Sequence, residues 1–326
     1  MSVDLFDTGS ATGSGVERDR WGRPLIVPPD GGKPRPYTRC TTFADCLDDR
    51  FALERWKQRM VAIGLVARPD LRIAVAAAAR DDKRRLDALC GDALEAANAN
   101  DKARIGTALH AFAEQADLGQ LFTDRIPPEH QGDIAAYRDA TSRMDHAHVE
   151  QFMVCDELGV AGTPDRVSRV GRNPGVYIAD IKTGDITKSL GKIAMQLALY
   201  AHSVVYDPVT GRRTPIAGLD TDQAVIIHLP AGQAQCELLW IDIAAGWEGV
   251  QLARDVRNWR ARKHRPRPLT PYAAPRPATW AQRIAAASSL DELTAIWTQA
   301  DAAGQWTDAL TSAAATRKTE FAGGKP

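Results

Sequence analysis

Apolar residues first settle into a repeating pattern at Thr42. Phe43, Cys46, Leu47, Phe51, Leu53, Trp56 and Met60 recur largely at spacings of three and four, which places them on one face of a helix ending near Gly64. Two more helices are expected over about 80–97 and 101–118, the second running through IGTALHAFAE, and a fourth over about 131–147. From Val149 the period shortens. Runs rich in Val and Ile at 149–157, 160–170 and 175–183, broken at Gly, Asn and Pro, read as strands. A helix over 189–206, strands at 224–230 and 236–243, and a helix over 244–263 complete the pattern. This order predicts an α/β fold, a central mixed sheet with a helical N-terminal cap. The first three strands are expected side by side in that sheet, with helix 189–206 packed on it.

The flanks have a different texture. Residues 1–36 are rich in Gly, Pro, Asp and Arg without apolar periodicity, which predicts a disordered arm before a domain spanning 37–265. Five of the twelve residues from Pro266 to Pro277 are proline, the mark of a stiff linker. In 278–326, Ser289-Leu-Asp-Glu292 fits a capping box, Leu290, Leu293, Ile296 and Trp297 supply an apolar face, and Gly304 precedes a new start at Trp306 and Leu310. A C-terminal helical hairpin for protein or DNA contact is expected.

Composition narrows the class. With 44% hydrophobic and 25% charged residues the 326-residue chain is globular in type. No apolar run approaches the roughly 20 residues that span a bilayer, and the N-terminus lacks a secretory pattern. No membrane partner is expected, and the cytoplasm is the expected compartment (a host cell's, if the chain is phage-encoded). The five cysteines are scattered, with no C-x-x-C pair, which argues against a disulfide framework and a structural zinc site. Formal net charge is zero, yet Arg254, Arg257, Arg260, Arg262, Lys263, Arg265 and Arg267 fall within fourteen residues holding one acid, Asp255. Such a stripe suits a phosphate backbone, with Arg257, Arg260 and Lys263 as candidate contacts, and equally suits a solvated helix end.

Chemistry concentrates in four short motifs. In Val176-Tyr-Ile-Ala-Asp-Ile-Lys-Thr-Gly184, Asp180 and Lys182 sit two apart on a strand and so point to one face. Burying such charges is costly unless they pair or bind an ion; alone, the pair also reads as a structural salt bridge. Gly162-Thr-Pro-Asp165 places a second carboxylate at the end of a glycine-broken strand, where an Asx turn is the plainer reading. Together the two carboxylates and the lysine would form an oxygen-rich pocket suited to Mg²⁺ or Mn²⁺. Gly106, His110 and Glu114 share a helix face at i, i+4, i+8, and Gln196 and Tyr200 follow at i, i+4 in a later helix. His146-Ala-His148 lacks a matched third ligand, and Gly184 to Lys192 has too long a gap for a phosphate-binding loop.

In this order, G-x-x-x-H, G-x-x-D, D-x-K-T-G and Q-x-x-x-Y resemble the PD-(D/E)XK nuclease superfamily, in the branch of RecB-like and Cas4-like exonucleases. The resemblance covers residues 106–200 motif by motif, and the helical segment 36–65 is similar to the N-terminal part of such nucleases from actinobacterial phages. It implies a restriction-endonuclease-like core and a metal-dependent DNA exonuclease serving phage recombination, repair or end processing. His110, Asp165, Asp180 and the carbonyl of Ile181 would hold Mg²⁺ or Mn²⁺, and Lys182 would position the attacking water. Gln196 and Tyr200 would contact the DNA backbone or brace Lys182. Glu114 and Glu150 could assist a second metal but read as surface or salt-bridging acids. Some relatives hold an iron–sulfur cluster with one upstream and three C-terminal cysteines; here only Cys236 lies beyond the core, so no cluster is expected. DNA is the implied partner, a recombination or replication protein a further one, and an oligomer remains open. The alternatives are a structure-specific or restriction-like endonuclease, and a non-catalytic DNA-binding or assembly protein that kept the fold. The latter predicts an eroded site, whereas His110, Asp165, Asp180 and Lys182 are all present.

Overall fold

The computed structural model describes residues 15–263 and 278–323. The chain divides into two units, Met1–Arg262 and Lys263–Pro326. In the first, short strands β1 (Leu25–Ile26), β2 (Arg35–Pro36) and β3 (Thr38–Arg39) precede six helices: α1 (Cys40–Ala44), α2 (Phe51–Ala67), α3 (Pro69–Ala77), α4 (Lys83–Ala96), α5 (Asp101–Asp117) and α6 (Pro128–Thr141). Strands β4 (Met144–Val149), β5 (Met153–Cys155), β6 (Val160–Gly162), β7 (Arg166–Val170) and β8 (Tyr177–Lys182) follow. Helix α7 (Leu190–Ala201), strands β9 (Val204–Tyr206), β10 (Arg213–Thr214), β11 (Gln223–His228) and β12 (Glu237–Asp242), and helix α8 (Ile243–Ala261) complete it. Among the described residues no helix is long and apolar enough to cross a membrane.

The α/β class holds, but among the described residues the strands make two mixed five-stranded sheets rather than one, in orders β10-β9-β5-β6-β3 and β12-β11-β8-β7-β4, with β1 and β2 as a separate pair. The expectation that 149–157, 160–170 and 175–183 lie side by side is corrected. The run 160–170 is two strands in different sheets, parted at Thr163-Pro164-Asp165. Proline contributes no ladder N–H and so interrupts pairing where the chain passes from one sheet to the other.

Strand β8 lies between β7, antiparallel, and β11, parallel. A strand with neighbours on both edges and layers on both faces is apolar along its length, and its alternate residues serve different cores. Ile178 packs with Val167, Leu197 and Ile226 on the α7 side; Tyr177, Ala179 and Ile181 pack with Leu109, Ile134 and Tyr137 from α5 and α6. Asp180 and Lys182 share parity with Ile178.

Other boundaries moved for local reasons. The expected helix 131–147 stops at Thr141, and Met144–Val149 becomes β4, whose alternating exposure suits an edge strand; it pairs with β7 across an irregularity between His146 and His148. The helix expected from Thr42 is broken between Asp48 and Arg50, and it runs past Gly64 to Ala67. Helix α3, begun by Pro69, was not expected. The chain of helix 189–206 leaves the helix at Ala201 and enters β9. The disordered arm is corrected from residue 15 onward: Ile26 and Tyr37 are buried with Phe152, Val154 and Tyr206.

Among the described residues the second unit holds the two expected helices, α10 (Leu290–Ala302) and α11 (Asp308–Gly323), preceded by a further one, α9 (Trp280–Ala286). Ile284, Ala287, Leu293 and Ile296 form its core, with Trp280, Trp306 and Phe321 against them, while Trp297 is exposed. Ser289 caps α10 by accepting from the Glu292 amide, but the reciprocal capping box occurs at Thr279 and Gln282, a start the sequence reading missed. The proline-rich segment 266–277 lies outside the described residues.

Gly64 marks a close approach, not a helix end. A Cβ there would run into the backbone carbonyl of Ala93 in α4, whereas a Cβ at Gly91, within α4, meets nothing within 4 Å. The two glycines therefore respond oppositely to alanine. Gly91→Ala is expected to stabilise by ~0.5–1 kcal/mol through helix propensity. Gly64→Ala is expected to destabilise by about 2 kcal/mol or more, because a helix backbone cannot turn aside. Urea unfolding of both variants checks this, and equal shifts would show that α2 and α4 do not touch at Gly64.

Candidate active site at the end of the central strand

The site is built where β8 outruns its neighbour. Strand β7 begins at Arg166, paired with Ala179, so Ile181 lies past the end of that ladder. A buried amide there needs another acceptor. The Asp165 carboxylate supplies it, accepting from Ile181 N at 2.7 Å through Oδ2. The Asp that precedes β7 thereby closes the end of β8 and is set beside Asp180 and Lys182. Lys182 Nζ pairs with Asp180 Oδ2.

His110 arrives from α5, and its glycine explains how. A Cβ on Gly106 would stand 2.7 Å from Thr183 Oγ1 and force that side chain to turn, so glycine lets this helix settle on the end of the D-x-K-T strand as it stands. One turn on, His110 Nδ1 lies 3.3 Å from Asp165 Oδ2. Gly162 has a matching function: a Cβ there would sit 3.0 Å from the Tyr200 hydroxyl and 3.2 Å from Cys40 Sγ. The glycines of G-x-x-x-H and G-x-x-D make room, respectively, for the threonine of D-x-K-T-G and the tyrosine of Q-x-x-x-Y.

Electrostatics follow from two buried carboxylates side by side. Asp180 is 3% and Asp165 9% exposed. Burial works against the charge of Asp165, but His110, Lys182 and Arg166 outweigh it and hold the carboxyl below the usual range. For Asp180, burial and the neighbouring Asp165 charge push the carboxyl up, with Lys182 opposing. Burial alone would lower His110 and Lys182; the facing carboxylates overcome it and leave both raised. Lys182 is therefore a standing ammonium at neutral pH. Two carboxylates that repel one another, with an imidazole at hand, are the donor chemistry a divalent cation takes. The groups are also paired among themselves, and among the described residues no group of three or more His, Cys, Asp or Glu side chains stands in a metal-holding arrangement.

Of the two plain readings of Glu150, the salt-bridging acid is the one that holds: its side chain is 14% exposed and 3.7 Å from Arg166 Nη1, and its amide donates to the Asp165 carbonyl at 3.0 Å. Its φ of 51° lies in the left-handed region, a conformation that costs of order 1–3 kcal/mol and persists where surroundings over-determine it. Burial and then the Asp165 charge push its carboxyl up to about 8. Arg166 escaped notice altogether, although its side chain is fully buried. The one available signal was a second arginine-bearing alternation, RVSRV, directly after the Asp.

The proposed DNA contacts divide. Tyr200 is 3% exposed and packs against Gly162, so it supports the strand ends from within and offers no face to a ligand; Gln196 is half-buried. Arg257 donates to Thr38 Oγ1 at 3.0 Å and lies over the Phe43 ring, which ties α8 to the β3–α1 segment. Arg260 is exposed with Nη1 3.6 Å from Cys46 Sγ, Lys263 is exposed, and Arg254 pairs with Asp255. Arg265 and Arg267 lie outside the described residues. His146 is engaged by Ser168 and Asp117, and all five cysteines are free thiols, Cys40 and Cys155 buried. No protein-family model matches the chain, and no curated protein matches it.

Glu150 yields a pH test. Its folded-state value of about 8 lies above the ordinary 4.5, so the folded protein favours the protonated form. That contribution is complete below pH 4.5 and is lost as pH rises toward 8. Metal-free protein carrying Glu150→Gln should unfold like wild type at pH 4 to 5 and at a higher temperature than wild type at pH 8.5. Parallel melting curves across that range would show that Glu150 ionises freely.

Proposed function

We propose that the chain is a Mg²⁺- or Mn²⁺-dependent deoxyribonuclease of the PD-(D/E)XK type, acting on DNA ends as an exonuclease in the cytoplasm. The observation that carries the reading is the convergence of His110, Asp165, Asp180 and Lys182, from a helix, a sheet-to-sheet corner and one strand, on a single strand end. A structural salt bridge would need only Asp180 and Lys182.

In this reading His110, Asp165, Asp180 and the Ile181 carbonyl hold the cation, which when bound would lower the pKa of a water and neutralise charge on the phosphate. Asp165 keeps its negative charge while bonded to the Ile181 amide and His110. Asp180, with its raised carboxyl, must lose any proton it holds and loosen from Lys182 to serve as a ligand. Lys182, held protonated, acts as a fixed positive charge that orients the attacking water and faces the charge developing on the phosphate; it is not a general base. Gln196 and Tyr200 keep the Gly162–Asp165 corner in place.

Two substitutions separate binding from chemistry. Asp180→Ala should abolish both Mn²⁺ binding and DNA cleavage, because it removes an anionic ligand. Lys182→Ala should still bind Mn²⁺, since a repelling cation has gone, yet cleave slower by a factor on the order of 10² or more. Calorimetry with Mn²⁺ beside digestion of end-labelled linear and circular DNA measures both; loss of label from linear DNA alone marks an exonuclease. Cleavage by Lys182→Ala at the wild-type rate would sink the nuclease reading.

A further inference from the structure

A buried polar cluster stands directly behind the candidate site. Its centre is Arg166, the first residue of β7, whose side chain is fully buried. Nε bonds to Asp117, the last residue of α5, and Nη1 donates to the Asp165 carbonyl at 2.6 Å. The same Nη1 lies 3.7 Å from the Glu150 carboxylate, and Nη2 is buried without a hydrogen-bond partner. Asp117 is itself held by the Tyr137 hydroxyl of α6 at 2.6 Å and faced by His146 Nε2 of β4 at 3.5 Å, while His146 Nδ1 meets Ser168 of β7 at 2.7 Å. Four elements thus meet around the Arg166–Asp117 pair.

We propose that Arg166 is a positioning residue for the acidic site: with Asp117 as its anchor, it fixes the main chain at Asp165 and so aims the Asp165 carboxylate at Ile181 and His110. Two donors converge on the Asp165 carbonyl, Arg166 Nη1 from one side and the Glu150 amide from the other. With its carbonyl pinned twice, Asp165 presents its carboxylate to the end of β8. Glu150, in its left-handed backbone conformation, is kept in place by the same arrangement. A core position could hold an apolar residue at less desolvation cost, so a charge retained there points to geometry rather than to stability. A guanidinium reaches the anchor through Nε and the carbonyl through Nη1, two nitrogens of one planar fork; an ammonium has a single nitrogen and cannot occupy both positions.

The proposal rests on the nuclease reading for its purpose, but its geometry can be measured without it. The test uses the full chain with Arg166→Lys and, should that variant fold poorly, Asp117→Asn, which keeps the shape and loosens the anchor. Amide hydrogen exchange on metal-free protein reads the Ile181 amide, whose acceptor is the Asp165 carboxylate, against Ile226 in the neighbouring strand. Calorimetry with Mn²⁺ reads ligand placement. The expected result is exchange at Ile181 faster by about tenfold or more with Ile226 unchanged, and Mn²⁺ bound about 10- to 100-fold more weakly, the usual effect of removing a group that orients a ligand. Wild-type protection at Ile181, or a uniform rise at both amides, would overturn the proposal, the latter marking Arg166 as general support for the fold. Selective loss at Ile181 in a protein whose wild type binds no Mn²⁺ would uphold the positioning of Asp165 and sink the nuclease reading alone.

Discussion

The bond from the Ile181 amide to the Asp165 carboxylate organises this molecule's chemistry. It arises from a ladder that ends too early: β7 starts at Arg166, and the central strand continues past it with a buried N–H unmet. Once Asp165 meets that demand, its other contacts follow. His110 reaches the same oxygen from α5, Asp180 lies one residue before the capped amide, and Lys182 one after. An acid positioned by backbone geometry in this way cannot drift without exposing a main-chain donor to an apolar interior, which makes its placement far stiffer than that of a surface carboxylate.

Charge in such a place is expensive, and the surroundings show how it is tolerated. Asp165 is surrounded by His110, Lys182 and Arg166, and remains anionic. Asp180 has fewer compensating groups and is pushed toward its neutral form by burial and then by the Asp165 charge. Glu150, close to both Asp165 and Arg166, is pushed up to about 8 by burial and then by the Asp165 charge. Proximity of like charges at a strand end favours anything positive that enters, whether protons or a divalent cation. At Asp165 that repulsion is offset by His110 and Lys182, with Arg166 a further contributor.

Close packing decides which residues can be partners. Gly106 and Gly162 are not flexible joints; each is a missing side chain that lets another motif's residue approach, Thr183 in one case and Tyr200 in the other. Read along the chain, the four motifs are separate fragments. In space, the glycine of one is the contact surface of the next, so the motif set behaves as a single packed unit. This is why Tyr200 is an internal support, and why Arg257, stacked on Phe43 and bonded to Thr38, braces the α8 end instead of standing free.

By itself the sequence determined what local periodicity and side-chain chemistry control. Helices α4, α5, α7 and α8 and strands β8, β11 and β12 follow from apolar spacing, and Asp180 with Lys182 on one face follows from strand alternation. Asp180 and Lys182 are conspicuous as charges in an apolar run, while His110 and Asp165 stand out only with them, through the order of the four motifs. Tertiary structure alone decided the rest. Whether 160–170 forms one strand or two depends on which sheet each half can pair with, and pairing is non-local. Whether Gly64 ends a helix or admits a neighbour depends on α4, which is distant in sequence. Arg166 carries only the faint mark of the RVSRV alternation, and Glu150 reads in the sequence as a surface or salt-bridging acid, because a residue's burial is set by everything that packs over it.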